Sequence, residues 1–241
     1  MQIIQYSISG TMFRLTKEVA YDAGVQIGDG NMYSKNRTCR ITYSGNLQNE
    51  KEFYKKILPK IIKKAYRANP IYIERPKDNT VLLIVNSKDI VKFKNKVLKL
   101  PVGKKEMVEI PKIFSKNLNL LKYCIRGIAD TDMCLSFQKN RKGLYTEPRL
   151  EIYIQSKKLA NQFKKILKKF KFTFAIEEKQ GKYKGFMIRM YGRKNLFKWL
   201  KIFGFSNPWT IIKIKVWQKF GYFPIQKNYT YYLQMLKIRS F

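Results

Sequence analysis

Histidine is absent from all 241 residues. That excludes Ser-His triads, histidine-based nucleases and metal sites with imidazole ligands. Only three cysteines occur, Cys39, Cys124 and Cys134. They are too far apart for a Cys-x-x-Cys pair and too few for a four-ligand zinc site, so they read as reduced core residues. Acids are scarce: 16 Asp and Glu stand against 50 Lys and Arg, a formal net charge of +34. Such an excess is the footprint expected of a polyphosphate partner. No window approaches the roughly 18 apolar residues of a spanning helix. Arg14, Lys17 and Glu18 come with no preceding long apolar run, so no signal peptide is expected. These absences predict an intracellular protein without a membrane span. Any metal must take oxygen ligands, which points to magnesium or a similar hard ion.

The chain has the length and the apolar content, 45%, for a folded protein of one large or two small domains. One short pattern occurs twice. Ala23-Gly24-Val25-Gln26-Ile27-Gly28-Asp29-Gly30 and Arg126-Gly127-Ile128-Ala129-Asp130-Thr131-Asp132-Met133 each follow an apolar, helix-compatible run. Each has small residues four apart, Gly24 with Gly28 and Gly127 with Thr131. Small residues at that spacing share a helix face and let two backbones approach closely. Asp29 and Asp132 each fall at a helix C-terminus, where the dipole is already negative. The same local rule broken twice suggests a functional site.

Helices abutting at those small residues would bring Asp29 and Asp132 together. Two carboxylates that close cannot both stay ionised without a cation between them. A divalent ion relieves the repulsion, lowers the pKa of a bound water and stabilises charge on a phosphate being cleaved. Asp130 points elsewhere on its helix and reads as structural or supporting.

The two aspartates are 132 − 29 = 103 positions apart, and a similar offset recurs elsewhere, the mark of a duplicated unit. Residues 16–29 read as a helix capped by Thr16, and 119–132 as its counterpart. Hairpins follow at 32–43 and 134–155. Amphipathic helices come next, 49–66 striped by Phe53, Ile57, Ile61 and Ala65, and 156–170 striped by Leu159, Phe163, Ile166 and Leu167. Strands at 71–74 and 81–85, and at 172–177 and 185–191, precede closing helices at 87–98 and 193–203. The predicted fold is mixed α/β (α+β), two pseudo-symmetric α-β-β-α-β-β-α repeats with antiparallel sheets. The first repeat spans 1–100, an exposed, semi-extended linker 101–118, the second repeat 119–207 and a C-terminal extension 208–241. Trp209, Ile212, Ile214, Val216 and Trp217 of the extension are expected to cover part of the second half.

Both motif stretches resemble the LAGLIDADG motif of homing endonucleases and their maturase relatives. The second carries the Gly-x-x-Asp-x-Asp spacing; the first is degenerate, with Asp22 opening it and Ile27 where the family often has an acid. Asn86-Ser87-Lys88, Leu100-Pro101-Val102-Gly103-Lys104-Lys105 and Ile110-Pro111 resemble the end of a first repeat and its linker. Gly204-Phe205-Ser206-Asn207-Pro208 resembles the end of a second. The resemblance implies a monomeric, site-specific endonuclease, intron-encoded or free-standing, that cuts both strands of a long pseudo-palindromic DNA target across the minor groove and leaves 3′ overhangs. It makes Asp29 and Asp132 catalytic acids on magnesium or manganese, with calcium binding but not supporting cleavage. Gly28 and Thr131 join them as metal-site residues, and Gln155 and Arg189 are candidate supporting catalytic groups.

DNA reading falls to the sheets, which form a basic saddle, since a two-stranded ribbon fits the major groove. The candidates are Tyr33, Lys35, Arg37, Arg40 and Thr42 in the first hairpin, and Gln138, Lys139, Arg141, Lys142, Arg149 and Tyr153 in the second. Arg75, Lys77, Lys182 and Lys184 extend the saddle. Met133 departs from the pattern, which usually has a glycine of positive φ there. Methionine costs strain or forces another turn, and either alters the second half-site or reduces cleavage. The alternatives are a maturase acting on intron RNA, or a DNA-binding relative without nuclease activity; retention of both acids favours cleavage. The resemblance places the protein in an archaeal cytoplasm, at the nucleoid, or in an organelle matrix.

Overall fold

The computed structural model describes residues 4–181, 184–225 and 227–237. It opens on a hairpin, β1 (Gln5–Ile8) and β2 (Thr11–Arg14), turned by Ser9 and Gly10, both of positive φ. The sequence reading did not anticipate it.

The first repeat then runs α1 (Lys17–Gly28), β3 (Gly30–Lys35), β4 (Thr38–Asn46), α2 (Leu47–Glu52), α3 (Leu58–Tyr66), β5 (Ile71–Arg75), β6 (Thr80–Asn86) and α4 (Lys88–Lys96). A short α5 (Lys112–Ser115) lies in the linker. The second repeat runs α6 (Leu118–Asp132), β7 (Met133–Lys139), β8 (Tyr145–Ile154), α7 (Lys157–Lys169), β9 (Ala175–Lys179), β10 (Gly185–Tyr191) and α8 (Gly192–Ile202). Helices α9 (Pro208–Phe220) and α10 (Tyr229–Lys237) follow. The two antiparallel four-stranded sheets have the same order, β3-β4-β6-β5 and β7-β8-β10-β9. The duplicated α+β architecture matches the expectation.

Local chemistry sets the element ends. Thr16 Oγ1 accepts the Val19 N–H at 3.2 Å, and Asn117 Oδ1 accepts those of Asn119 and Leu120, capping α1 and α6. Asn36 and Arg37, with φ of 50° and 64°, make the two-residue turn of the β3–β4 hairpin. Helix α2 passes into α3 through a π-helical turn, Phe53–Ile57, in which Phe53 and Tyr54 are buried. Helices α1 and α6 pack against each other at the centre, with Val19 through Ile27 of α1 all buried.

Four expectations need correction. The strand expected at 172–177 begins only at Ala175, because the Asn195 side chain takes both backbone polar groups of Thr173 and Phe172 buries beside Trp199. The linker is not simply exposed. Val108, Ile110 and Phe114 are buried, and hydrogen bonds stitch it to both halves: Gly103 N–H to Met32 O, Ser156 Oγ to Val108 O, and Gln162 to both backbone groups of Ile110. Of the cysteines only Cys124 is in the core; Cys134 is exposed and Cys39 half-buried, because their places on β7 and β4 are not core-facing. Met133 has φ −90° and ψ 121°, so α6 runs straight into β7 without a left-handed turn. At the equivalent Gly30 a Cβ would lie 2.6 Å from Gln26. The residue four before Met133 is the small Ala129, which relieves that crowding.

In the extension Ile212, Ile214, Val216 and Trp217 are all buried; Trp217 Nε1 donates to Thr146 O of the second half at 2.7 Å, while α9 also packs against α2 of the first. Trp209 is partly buried and packed on the core. The two cores differ in chemistry. Asp22, fully buried in α1, pairs with Lys94 of α4 at 2.6 Å and accepts the hydroxyls of Tyr43 and Tyr66. At the same offset in α6 stands Ile125. No helix among the described residues is long and apolar enough to cross a membrane.

Candidate active site

The α1–α6 crossing is built on glycine. A Cβ on Gly24 would fall well inside contact with the Cys124 carbonyl and 2.9 Å from Ile128 N. One on Gly127 would strike the Tyr21 carbonyl and lie 2.9 Å from Val25 N. One turn further on, a Cβ on Gly28 would meet Thr131 and lie 3.1 Å from Asp132 Oδ1. Close approach of the backbones therefore carries the ends of both helices, and with them Asp29 and Asp132, to one place.

Asp29 follows α1 directly, its N–H bonded to Val25 O at 3.0 Å. It is half-buried, and its Oδ2 accepts the hydroxyl of Tyr54 at 2.7 Å. Desolvation pushes its carboxyl up to about 7; Tyr54 and Lys105 pull against this, while Asp132 and Glu50 add to it. Asp132 remains open to solvent, yet crowding by protein raises it in the same direction, to about 6, with Lys105 opposing and Glu50 assisting. Two neighbouring carboxylates that resist ionisation make a place for a cation.

A lysine flanks the acids on each side. Lys105 reaches in from the linker and donates to Ile27 O at 3.0 Å and, more closely, to Gly28 O. It caps the last carbonyls of α1 and so offsets the charge of the helix end. Gly28, Lys105, Asp132, Tyr153 and Gln155 line one side of the cleft. Lys213 of α9 donates to Leu135 O at 3.1 Å and shares the other side with Glu50, Thr131, Asp132, Cys134 and Asn207. Burial lowers the pKa of both lysines, opposed at Lys105 by Asp132 and Asp29, and at Lys213 by Cys134 and Glu50. Half-buried Glu50, raised by burial, accepts from Asn46 N and from Asn207 Nδ2 at 3.1 Å, tying the first half to the end of the second.

Sequence reasoning missed Lys105, Lys213, Tyr54 and Glu50. No signal set the two lysines apart from the rest of the 50 Lys and Arg, since their offsets from the aspartates differ. Lys105 comes 105 − 29 = 76 positions after Asp29, and Lys213 comes 213 − 132 = 81 after Asp132.

Of the residues that the sequence singled out, Gln155 lies exposed at the end of β8, on the Lys105 side of the cleft. Thr131 bonds back to the carbonyls of Gly127 and Ile128. Arg189 lies on the open face of its sheet, paired with Glu177 at 2.8 Å and Glu151 at 3.4 Å, and is not among the residues lining the cleft beside the acids. Buried Asp130 accepts from Tyr21 and from the N–H groups of Ser206 and Asn207. Tyr33, Lys35, Arg37 and Arg40 are exposed along the first hairpin, and Thr42 is half-buried. Arg75 and Lys77 are exposed beside β5, and Gln138, Lys139, Arg141 and Lys142 along the second hairpin. Arg149 bonds Ser136 and Glu151, and Tyr153 shares its face of β8. Lys184 is exposed; Lys182 lies outside the described residues.

Among the described residues no group of three or more Cys, Asp and Glu is placed to hold a metal. The all-oxygen pair Asp29 and Asp132 still suits magnesium, which is commonly held by one or two carboxylates together with water and substrate phosphates.

No protein-family model matches the chain, and no curated protein does. Solved structures do. I-DmoI, in complex with DNA and Mn, superposes with a TM-score of 0.58 at 16% identity, covering 78% of this chain and 96% of that one. The LAGLIDADG homing endonuclease I-GzeII, in complex with its DNA target, gives 0.51 at 9% identity over 92% and 96%. The LAGLIDADG meganuclease I-AabMI, bound to uncleaved DNA, gives 0.53 at 9% over 84% and 90%. I-DmoI has also been solved with DNA and Ca. The fold is that of the LAGLIDADG homing endonucleases.

Proposed function

We propose that this protein is a divalent-metal-dependent endonuclease that cuts both strands of a specific DNA duplex as a monomer. One observation carries the reading: two carboxylates of raised pKa converge at a glycine-built helix crossing, with a lysine on either side. The likeness to DNA-bound homing endonucleases and the net charge of +34 support it.

The sheets hold the duplex across the crossing. Asp29 and Asp132 hold the cation, and Tyr54 fixes the orientation of the Asp29 carboxyl. When bound, a divalent ion supplies an acidified water and offsets charge on the phosphate. Lys105 and Lys213 present ammonium groups where negative charge grows as a phosphodiester breaks. Both acids belong to one chain, so no second copy is required. The intron RNA that the resemblance also allows gains no support from these neighbours.

The test is a randomised duplex pool incubated with magnesium or manganese, the cut ends being sequenced. The expected result is a discrete site with 3′ overhangs. Asp29→Asn and Asp132→Asn should each abolish double-strand cutting while leaving binding intact. An untouched pool with either metal, or both variants cutting at the wild-type rate, would overturn the reading. Binding should weaken steeply with salt as phosphates release counterions.

A further inference from the structure

We infer that the two sheets read bases by opposite chemistry: the β3-β4-β6-β5 sheet reads A·T pairs through thymine methyls, and the β7-β8-β10-β9 sheet reads G·C pairs through charged side chains. The inference rests on the proposed function and specifies its substrate.

Register makes the comparison exact in position. Gly30 opposes Tyr43, and Met133 opposes Ile152, so Thr42 and Glu151 occupy the same place. On the next ladder Thr42 opposes Ile84, while Glu151 opposes Arg189. Two residues along, Leu82 opposes Ile73, while Met187 opposes Glu177. Thr42, Ile84 and Ile73 thus stand where Glu151, Arg189 and Glu177 stand in the other half.

In the second sheet these three form one connected array. The Arg189 guanidinium sits between Glu151 at 3.4 Å and Glu177 at 2.8 Å, and Arg149 adds a contact to Glu151 at 3.1 Å. A guanidinium held by two carboxylates is oriented in advance, and its charge is offset, so it is poorly suited to serve as a free phosphate contact. What it retains is geometry. Arginine pairs with guanine O6 and N7, and glutamate accepts from cytosine N4.

In the first sheet the same face is apolar. Ile71 and Ile73 are 52% and 37% exposed, with Ile84 half-buried beside them. This is the face away from the helices: the alternate residues of β5, Tyr72 and Glu74, turn to the other side, where Lys51 meets Glu74 and Lys55 lies over the Tyr72 ring. Exposed isoleucines grouped on a strand face mark a contact surface. Arg40 of β4 and Arg75 of β5 share that face, which selects a polyanion as the occupant. In the major groove of DNA, the apolar group that distinguishes a base is the thymine methyl.

Binding selection from a randomised duplex pool, with calcium in place of magnesium, tests the assignment. The expected winner is A·T-rich in one half and carries G·C pairs in the other. Arg189→Ile should relax the G·C preference in that half alone, by about tenfold at one or two adjacent pairs. Thr42→Glu with Ile73→Glu and Ile84→Arg should move the other half from A·T to G·C. The single change Ile84→Thr, safer for folding, should weaken the A·T preference there. Equal base preferences in both halves would overturn the inference and leave the nuclease reading standing. So would an Arg189→Ile protein weakened equally on all sequences. Failure to enrich any duplex would overturn the reading beneath it.

Discussion

The Tyr54 hydroxyl is 2.7 Å from Asp29 Oδ2, delivered there by the π-helical turn between α2 and α3. Among the described residues Asp132 has no such hydroxyl, so the two acids are held differently. The Tyr54 bond lowers the Asp29 pKa against the desolvation that raises it. Tyr54→Phe should therefore move Asp29 further above about 7. Cleavage at pH 7 should fall by up to about tenfold and recover toward wild type near pH 9, with DNA affinity unchanged. Parallel pH–rate profiles for the two proteins would refute the positioning role.

The metal-free protein should lose stability as pH rises from about 4 to about 7. Over that window the folded chain retains protons on Asp29, Asp130 and Asp132 that the unfolded chain has released, because the surrounding protein raises all three. Stability from these groups is fully present below the unfolded carboxylate range and is lost through the folded values. Divalent metal should reverse the loss, so its thermal stabilisation should be larger at pH 8 than at pH 5.5. Asp29→Asn/Asp132→Asn should abolish that difference in a thermal-shift titration.

Lys105→Met and Lys213→Met should each reduce cleavage by about a hundredfold, the usual cost of one electrostatic donor at a phosphoryl or acyl centre. DNA affinity should change little, since one charge in +34 is lost. Single-turnover rates measured at saturating enzyme separate the two effects. Unchanged rates in both variants would remove the lysines from the site.

Gly24→Ala and Gly127→Ala each force a methyl into the backbone of the facing helix. Each should destabilise the protein by about 3 kcal/mol. For a chain of this size that is roughly 6–12 °C in Tm. Calorimetry reads it directly, and a Tm within a degree of wild type would mean that the crossing is looser than described.

Lys94→Met leaves Asp22 buried without its counter-charge. The tyrosine hydroxyls of Tyr43 and Tyr66 remain, so the loss should fall near 3 kcal/mol, the low end for a broken buried pair. Urea unfolding measures it. Adding Asp22→Leu should recover part of the stability, because no unpaired charge then remains buried, although both tyrosine hydroxyls lose their acceptor.

Regular elements were legible in the sequence because the chain states them twice: matching helices precede matching hairpins, and the glycine spacing marks the crossing. Asp29 and Asp132 were legible because acids are scarce and these two break the same rule. Lys105, Lys213 and Lys94 were not. In a chain with 50 Lys and Arg, a lysine drawn into a cleft or a core looks like any other until the fold places it. Tyr54 was hidden for another reason. Its stripe was read with α-helical periodicity, and a π turn shifts what faces inward. The β1–β2 hairpin lacked a periodic signal in four-residue strands. Asn195 and Thr173 pair only after the chain has folded, so the late start of β9 could not be foreseen.

The segment joining the halves bonds to Met32, carries Lys105 to the end of α1, and then binds Ser156 and Gln162. It is tether and working part at once. Splitting the chain ahead of Lys105 to make a two-piece, reassembling nuclease would part that ammonium group from the α1 end it caps. A viable break point lies elsewhere, for instance in the exposed 141–143 stretch, which carries none of the groups around the two acids.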